Sequence, residues 1–459
     1  MNRLKMIIYK IKNSEEKNLI IYKNIIGSFV IKGGALAISL LLMPAYIHYF
    51  KDTRILGIWF TILSILIWIF NFDLGLGNGL RNSLVVAFEK KDMILAKSYI
   101  SSAYFLIGLL VGIFTIIGYF ILGFLNWNYI FNVPVSLISS NALRSTIQFT
   151  FLGVMIQFLL RFISYILYAM QLSAITNMLS LSTSVMQLIF VLIAPSNSSV
   201  RNLEVFSVAY IFCANIPLMI ATVFLFAGPL KKCRPSVKNI SLIRAKKVLS
   251  LGGIFFACQI LYMIILNTNE FFISHFTSPA NVVNYQIYYK LFSIISMVFM
   301  LMLTPVWSTV SKAIFEKDFR WLIKLYNNLM RLAVLASIIE FFLILILQFV
   351  INIWLGSSAI TVNYVYAIIF ALFGTAMIFQ DTVSTIASGI GDLKVQFFSY
   401  SIGTVVKFIV IIIGIRLTNS WIIIVISNVV VLTPYVIWQN KSLKNYFLEN
   451  RGQKIREES

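Results

Sequence analysis

Twelve long apolar stretches divide this chain, and its positive charges are sorted between the segments that join them. Of the 37 lysines and arginines, 28 lie in segments on one side of the stretches, 5 lie on the other side and 4 lie within them. Short cytosolic loops of membrane proteins are enriched in lysine and arginine. The pattern therefore predicts a multi-pass membrane protein with its cation-rich side, and both termini, in the cytosol.

The composition leaves little material for a soluble domain. Hydrophobic residues make up 59% of the chain and charged residues only 12%, whereas a soluble domain carries about 25% charged residues. A membrane-spanning helix uses about 20 apolar residues, so twelve spans account for most of the chain. The net charge of +21 lies in short loops beside the spans, which favours contact with anionic lipids and argues against nucleic-acid binding. The predicted fold is all-α.

The most basic segment, 228–248, lies at the midpoint of the chain and predicts a cytosolic linker between two six-helix bundles. The tripeptide Phe-Glu-Lys at 88–90 recurs at 315–317, and His48 and His275 share the same offset. Six spans per half give both halves the same orientation, so we predict a parallel internal repeat with the substrate site between the halves. The predicted divisions are a cytosolic N-terminal segment (1–24), an N-terminal bundle (25–227), the linker, a C-terminal bundle (249–439) and a cytosolic tail (440–459).

Four cations lie within predicted spans: Lys32, Arg161, Lys290 and Lys407. A charge at the centre of a bilayer costs about 2.5–3.5 kcal/mol on insertion scales. These side chains either reach an interface or a partner, or they line a water-filled cavity. Such a cationic cavity would suit an anionic substrate, because phosphate oxygens bind lysine and arginine through charge-assisted hydrogen bonds.

A glycine-rich segment follows the second predicted span: Phe72-Asp73-Leu74-Gly75-Leu76-Gly77-Asn78-Gly79-Leu80-Arg81-Asn82. Its glycines predict a hinge or a close backbone approach; the simpler interpretation is a glycine-rich end of the span. Asp73 and Arg81 are eight residues apart and would share one face of a continuous helix. Arg81 is a further candidate for substrate binding, and Asp73 is a candidate for ion coupling.

Other polar residues within the spans have two interpretations. Five glutamines could bind a sugar or could join helices inside the bundle: Gln148, Gln157, Gln187, Gln259 and Gln380. Glu270, Glu340 and Asp381 are the acidic candidates, and Asp381 is a second candidate for ion coupling. We find no phosphate-binding GxxxxGK[ST] loop, no set of serine, histidine and aspartate residues for hydrolysis, and no metal-ligand spacing. The sequence therefore predicts neither an enzyme nor a bound cofactor.

The FDLGLGNGLRN segment at 72–82, the twelve spans in two halves and the chain length resemble bacterial polysaccharide flippases. These are O-antigen or repeat-unit translocases of the multidrug/oligosaccharidyl-lipid/polysaccharide (MOP) exporter superfamily. The resemblance implies two bundles in a V, alternating access and a polyprenyl-pyrophosphate-linked oligosaccharide as substrate. It also implies the bacterial inner membrane, coupling to a proton or sodium gradient, and contact with membrane lipids and other polysaccharide-assembly proteins.

Three alternatives remain open at the level of sequence. A flippase for peptidoglycan precursors would handle the same head chemistry. A multidrug exporter of the same superfamily would be expected to carry carboxylates in its cavity, whereas this chain carries cations there. A membrane glycan polymerase or ligase would need a large, charged outer loop, and the longest such loop here is short and nearly uncharged.

Overall fold

The computed structural model describes residues 30–71, 76–170, 172–195, 197–249, 253–303, 306–315 and 318–457. Within these residues, twelve helices are long and apolar enough to cross a membrane, which confirms the predicted number of spans. We number them α1 (Val30–Phe50), α2 (Thr53–Phe70), α3 (Met93–Phe124), α4 (Ser140–Ala169), α5 (Ser173–Ile193), α6 (Ser199–Ala227), α7 (Phe256–Phe276), α8 (Pro279–Leu303), α9 (Phe319–Ser358), α10 (Tyr364–Ile390), α11 (Lys394–Thr418) and α12 (Ile422–Asn450).

The helices form two lobes of six. We call the end of the molecule where α1 turns into α2 the outer end, and the opposite end the inner end; their assignment to the two sides of a membrane is the prediction made from charge. In the N-terminal lobe α4 packs against α3 and α6, and α5 lies against α6. In the C-terminal lobe α10 and α12 are central, with α9 packed on α10 and α11 on α12. The predicted all-α, two-bundle architecture is confirmed.

Glycine allows helices inside each lobe to approach closely, as small residues commonly do between membrane helices. A Cβ atom on Gly153 of α4 would lie 2.8 Å from the side chain of Ile211 in α6. A Cβ atom on Gly403 of α11 would lie 2.4 Å from the side chain of Val431 in α12. Dispersion contacts between such surfaces stabilise the lobes, since lipid offers no hydrophobic driving force for helix association.

The segment predicted as a linker is folded against the N-terminal lobe. It contains short 3-10 turns at Lys231–Cys233 and Val237–Asn239, followed by the helix Leu242–Leu249. Ser98 Oγ in α3 donates to the carbonyl of Asn239 (2.8 Å), and the backbone of Ser241 donates to Ser102 Oγ (2.9 Å). These bonds fix the linker to α3.

The predicted tail is helical over most of its length. The last helix runs without interruption from Ile422 to Glu457. Its extension packs against the inner part of α9: Tyr326 donates a 2.6 Å hydrogen bond to Asn440, and the Tyr326 and Phe447 rings lie 5.5 Å apart. Burial of Phe447 explains why the helix continues beyond the last predicted span.

The two lobes meet at the outer end. The loop between α3 and α4 lies over the outer end of α7, where Ser274 Oγ donates to the carbonyl of Phe131 (3.0 Å). Asn132 likewise donates to the carbonyl of Thr277 (2.9 Å). Below this loop, α2 packs along α8. These contacts close the outer end between the lobes.

Replacing Gly57 with alanine should loosen this closure. A Cβ atom there would lie 1.8 Å from the backbone carbonyl oxygen of Pro279, so α2 and α8 must separate. Overpacking of this kind costs about 1–3 kcal/mol. We expect Gly57→Ala to increase labelling of a cysteine introduced at Ser278 by a membrane-impermeant maleimide. Gly108→Ala is the control, because nothing lies within 4 Å of its added Cβ atom. Equal labelling in both variants would show that the α2–α8 contact does not close the outer end.

Candidate functional site: a polar cavity beside Arg161

A polar cavity of about 350 Å³ lies in the N-terminal lobe between α4, α5 and the inner end of α2. Thr176, Ser180 and Thr183 of α5 are spaced so that they share one helical face, and all three line the cavity. These polar residues are visible in the sequence of the span, which also carries other polar residues such as Ser182 and Ser184. The complete lining is Phe70, Gln157, Arg161, Ser164, Tyr165, Tyr168, Thr176, Asn177, Leu179, Ser180, Thr183 and Leu218.

Arg161 supplies the positive charge of this cavity. It lies at an irregular turn of α4 between the helical segments Ser140–Leu160 and Phe162–Ala169. Its side chain is exposed to the cavity, and its guanidinium carbon lies 5.1 Å from the centre of the Phe70 ring. Within the described part of the chain, no carboxylate pairs with it. Among these residues, the cavity therefore presents a cation without a carboxylate partner, which suits an anionic ligand.

Arg81 lies beside the same cavity, on the helix Leu76–Glu89. Its guanidinium carbon is 5.5 Å from the centre of the Tyr168 ring, and Tyr168 lines the cavity. Two of the five predicted cations, Arg161 and Arg81, are thus brought together through the inner part of α4.

The glycine-rich segment shapes this wall. A Cβ atom on Gly77 would lie 2.1 Å from the ring of Tyr165, which lines the cavity, so the helix can approach α4 only with glycine here. Gly79 is buried in the same regular helix. A close approach accounts for Gly77, and a hinge at Gly77 and Gly79 stays a prediction. Asp73 and Gly75 lie outside the described residues.

Two side-chain oxygens at this cavity lack partners. Gln157 Oε1 and Thr176 Oγ1 are buried, and neither has a hydrogen-bond partner among the described residues. A buried polar atom left unpaired costs about 1–3 kcal/mol, so both atoms are candidates to bind a ligand. Three other glutamines join helices instead: Gln148 donates to the carbonyl of Tyr119, Gln187 accepts from Tyr46, and Gln380 binds Tyr262, Ser384 and Tyr400.

Lys407 lies away from this cavity, in the core of the C-terminal lobe. Its side chain is fully buried. The ammonium group donates to the carbonyl of Ile265, to Thr268 Oγ1 (3.0 Å) and to Asn269 Oδ1 (2.8 Å). These acceptors lie where α7 breaks, between the helices Gly253–Leu266 and Asn269–Phe276. Lys407 thus stabilises the carboxyl end of the first helix, where carbonyl groups lack intrahelical donors.

Sequence reasoning treated α7 as one continuous span and missed this break. Asn269 lies at the centre of the hydrogen bonds around this break. Asn428 donates to Asn269 Oδ1 (3.1 Å), and Asn269 Nδ2 donates to the hydroxyl of Tyr285 (3.1 Å). Trp68 of the N-terminal lobe donates to the carbonyl of Asn267 (2.9 Å), so both lobes satisfy backbone groups of the broken helix. The run Asn-Thr-Asn-Glu at 267–270, inside an apolar span, was the available signal.

Lys290 joins the two lobes at mid-depth. Its ammonium group donates to the carbonyl and to the hydroxyl of Ser39 in α1, both at 3.0 Å. Lys32 lies near the inner end of α1 and is partly exposed. The predicted cations therefore occupy different places: Arg161 and Arg81 beside the polar cavity, Lys290 between the lobes and Lys407 inside the C-terminal lobe.

The acidic candidates belong to the C-terminal lobe. Asp381 of α10 is partly exposed and lies near Tyr262, Tyr289 and Tyr400. Glu270 accepts a 2.7 Å hydrogen bond from Gln286. The carboxyl group of Glu340 is buried inside the C-terminal lobe. None of these carboxylates lines the Arg161 cavity.

Comparison with known proteins supports the resemblance found in the sequence. No family model matches the chain. A "Putative O-antigen export protein" of Yersinia pseudotuberculosis is 23% identical over 225 residues, which are 48% of this chain and 50% of that protein. The match therefore spans about half the length of that relative.

Solved structures share the fold along nearly the whole chain. An inward-facing multidrug resistance MATE family transporter of the MOP superfamily aligns with a TM-score of 0.68 at 15% identity, covering 89% of this chain and 95% of that one. An outward-facing multidrug resistance MATE family transporter of the MOP superfamily gives a TM-score of 0.60 at 15% identity, covering 93% of this chain and 96% of that one. A mutant of a Vibrio cholerae MATE transporter gives 0.62 at 12% identity, with 93% and 98% covered. The chain has the fold of these MATE transporters.

Proposed function

We propose that this protein is a flippase that moves a polyprenyl-pyrophosphate-linked oligosaccharide from the cytosolic to the outer leaflet of the bacterial inner membrane, for O-antigen or capsule assembly. One observation carries the proposal: a polar cavity within a membrane-spanning lobe holds the cation Arg161, which pairs with no carboxylate among the described residues. The similarity to an O-antigen export protein and the transporter fold support it.

The lining chemistry suits the head of such a lipid. Pyrophosphate oxygens would bind the guanidinium group of Arg161 by charge-assisted hydrogen bonds, which are about twice as strong as neutral ones. The first sugar offers hydroxyl groups to Gln157 Oε1 and Thr176 Oγ1, two buried oxygens that have no partner among the described residues. The volume of about 350 Å³ falls within the range of small-molecule sites. It fits the pyrophosphate and a neighbouring sugar, with the remaining sugars between the lobes.

Transport would follow from rocking of the two lobes. The outer contacts between the loop 125–139 and α7 would open as the inner ends close, so that the head is exposed to each side in turn. We propose a proton or sodium gradient as the driving force, with Asp381 as the coupling carboxylate. Its partial exposure within the C-terminal lobe supports this choice. The excess of basic residues in one set of loops supports placing both termini in the cytosol.

The related functions differ in what they require of this cavity. A cationic drug would meet Arg161, and no carboxylate of the described residues lines the cavity, so the site disfavours multidrug export. A peptidoglycan precursor also carries pyrophosphate, and the identity of the accumulated lipid separates it from an oligosaccharide unit. An enzyme that polymerises or ligates glycans would leave the finished unit outside but unpolymerised.

Deletion of the gene in the native host tests the proposal. We expect loss of surface polysaccharide and accumulation of the complete lipid-linked unit on the cytosolic face of the membrane. The wild-type gene should restore export, whereas Asp381→Asn should leave most units trapped if Asp381 couples transport to the gradient. Unchanged surface polysaccharide together with altered drug sensitivity would reject the flippase in favour of a drug exporter.

A further inference from the structure

Helix α5 has a second face, opposite in character to the one that lines the polar cavity. Met178, Ser182 and Met186 face an apolar groove between α5 and α6. The inner section of the groove has a volume of about 350 Å³, and an outer section of about 740 Å³ continues from Met186 to Ile193. The inner section has no charged side chain in its lining. Helix α5 thus separates a polar cavity from an apolar groove.

The groove is nearly as long as a bilayer core is thick. Its α5 lining extends from Ile175 to Ile193, about 27 Å at the rise of an α-helix. The hydrocarbon core of a membrane is about 30 Å thick. On α6 the inner section is lined by Pro217 and Ala221, whose small side chains leave space beside α5. A long apolar chain could lie along this groove up to its outer end, where Asn197 and Arg201 join the lining.

The groove and the polar cavity adjoin each other. Leu179 of α5 lines both of them. On α6, Leu218 lines the cavity and its neighbour Pro217 lines the groove. A ligand with a polar head at Arg161 could therefore place an apolar chain in the groove by passing between α5 and α6 at Leu179.

We propose that the α5–α6 groove binds the polyprenyl chain of the substrate while its pyrophosphate lies at Arg161. This inference rests on the proposed function and adds a site for the lipid part. Arg161 lies eight residues from the inner end of α4, about 12 Å along a helix. The head of an ordinary phospholipid stays at the membrane surface. A groove that adjoins a cavity at the depth of Arg161 therefore selects a lipid whose head group can move inward.

Binding of pyrophosphates with different chain lengths to the full-length protein in lipid nanodiscs tests the proposal. The probes are a long-chain polyprenyl pyrophosphate and farnesyl pyrophosphate, which share the head group. We expect wild type to bind the long chain at least about tenfold more tightly at equal mole fraction in the bilayer, because only the long chain fills both sections of the groove and gains dispersion contacts along its whole length. Ala221→Trp fills the inner section and should remove this preference, so that both probes bind about equally.

The matched control is Val223→Trp, which adds the same ring to α6 on an exposed face outside the groove and should keep the preference. If Ala221→Trp does not fold, Met178→Trp replaces it, because the Met178 side chain is 57% exposed. A groove-filled variant that keeps the full preference overturns the groove site. If both probes bind wild type equally and Arg161→Gln loses binding of both, the groove site is overturned but the proposed function is not. Binding of neither probe to wild type rejects both.

Discussion

Arg161→Gln should reduce transport of the lipid-linked unit to near the level of the deletion strain. Glutamine keeps much of the side-chain length but removes the positive charge of Arg161, the only one among the described residues that line the polar cavity. A hydrogen bond to a charged group contributes about 1.5–3 kcal/mol. Loss of one such bond weakens binding by about 10- to 100-fold, and loss of a bidentate pair weakens it further. The measurement is surface polysaccharide together with the amount of trapped lipid-linked unit.

Two further variants separate charge from geometry. Arg161→Lys should retain part of the activity, because an ammonium group keeps the charge but cannot form the paired contacts of a guanidinium group. Arg54→Gln is the matched control: Arg54 lies at the outer end, is paired with Asp52 at 2.8 Å, and should be dispensable for export. Full export by Arg161→Gln, at wild-type protein levels in the membrane, would remove the cavity from the transport mechanism.

Lys407→Met should destabilise the C-terminal lobe rather than abolish substrate binding. Methionine nearly conserves the volume, so the change removes the ammonium group and its three hydrogen bonds at the break of α7. Thr268 Oγ1 keeps its bond to the carbonyl of Ile264, whereas the carbonyl of Ile265 is left without this donor. A buried acceptor without a partner costs about 1–3 kcal/mol. We expect a lower midpoint of thermal unfolding in detergent.

A second lysine of α11, Lys394, provides the control for Lys407. Lys394→Met makes the same replacement at an exposed position at the start of α11 and should leave the unfolding midpoint unchanged. Binding of a polyprenyl pyrophosphate by the Lys407→Met protein that remains folded should match wild type, since Lys407 does not line the cavity. An unchanged unfolding midpoint, or loss of binding without loss of stability, would contradict this structural role.

The sequence alone predicted the architecture because a membrane imposes it. Backbone groups in hydrocarbon must be satisfied within each segment, so twelve apolar stretches become twelve helices. Sorting of the cations predicts the orientation of these helices in the membrane, and the basic midpoint predicts where the chain divides into two bundles. The extra helical length of α9 and α12 at the inner end was not predicted, since it depends on contacts such as Tyr326 with Asn440.

The sequence also selected Arg161 and Gln157 as candidates, but only the tertiary structure brought them into one cavity with the polar face of α5. The four intramembrane cations cannot be told apart from the sequence. Hydropathy gives the position of a residue along its own helix but not the neighbouring helix that its side chain contacts. Packing of helices distant in sequence made them different: Lys407 binds the broken α7, Lys290 binds Ser39 across the lobes, and Arg161 faces open space. The membrane thus determines the helices from sequence, whereas long-range packing decides which charge is structural and which is available to a substrate.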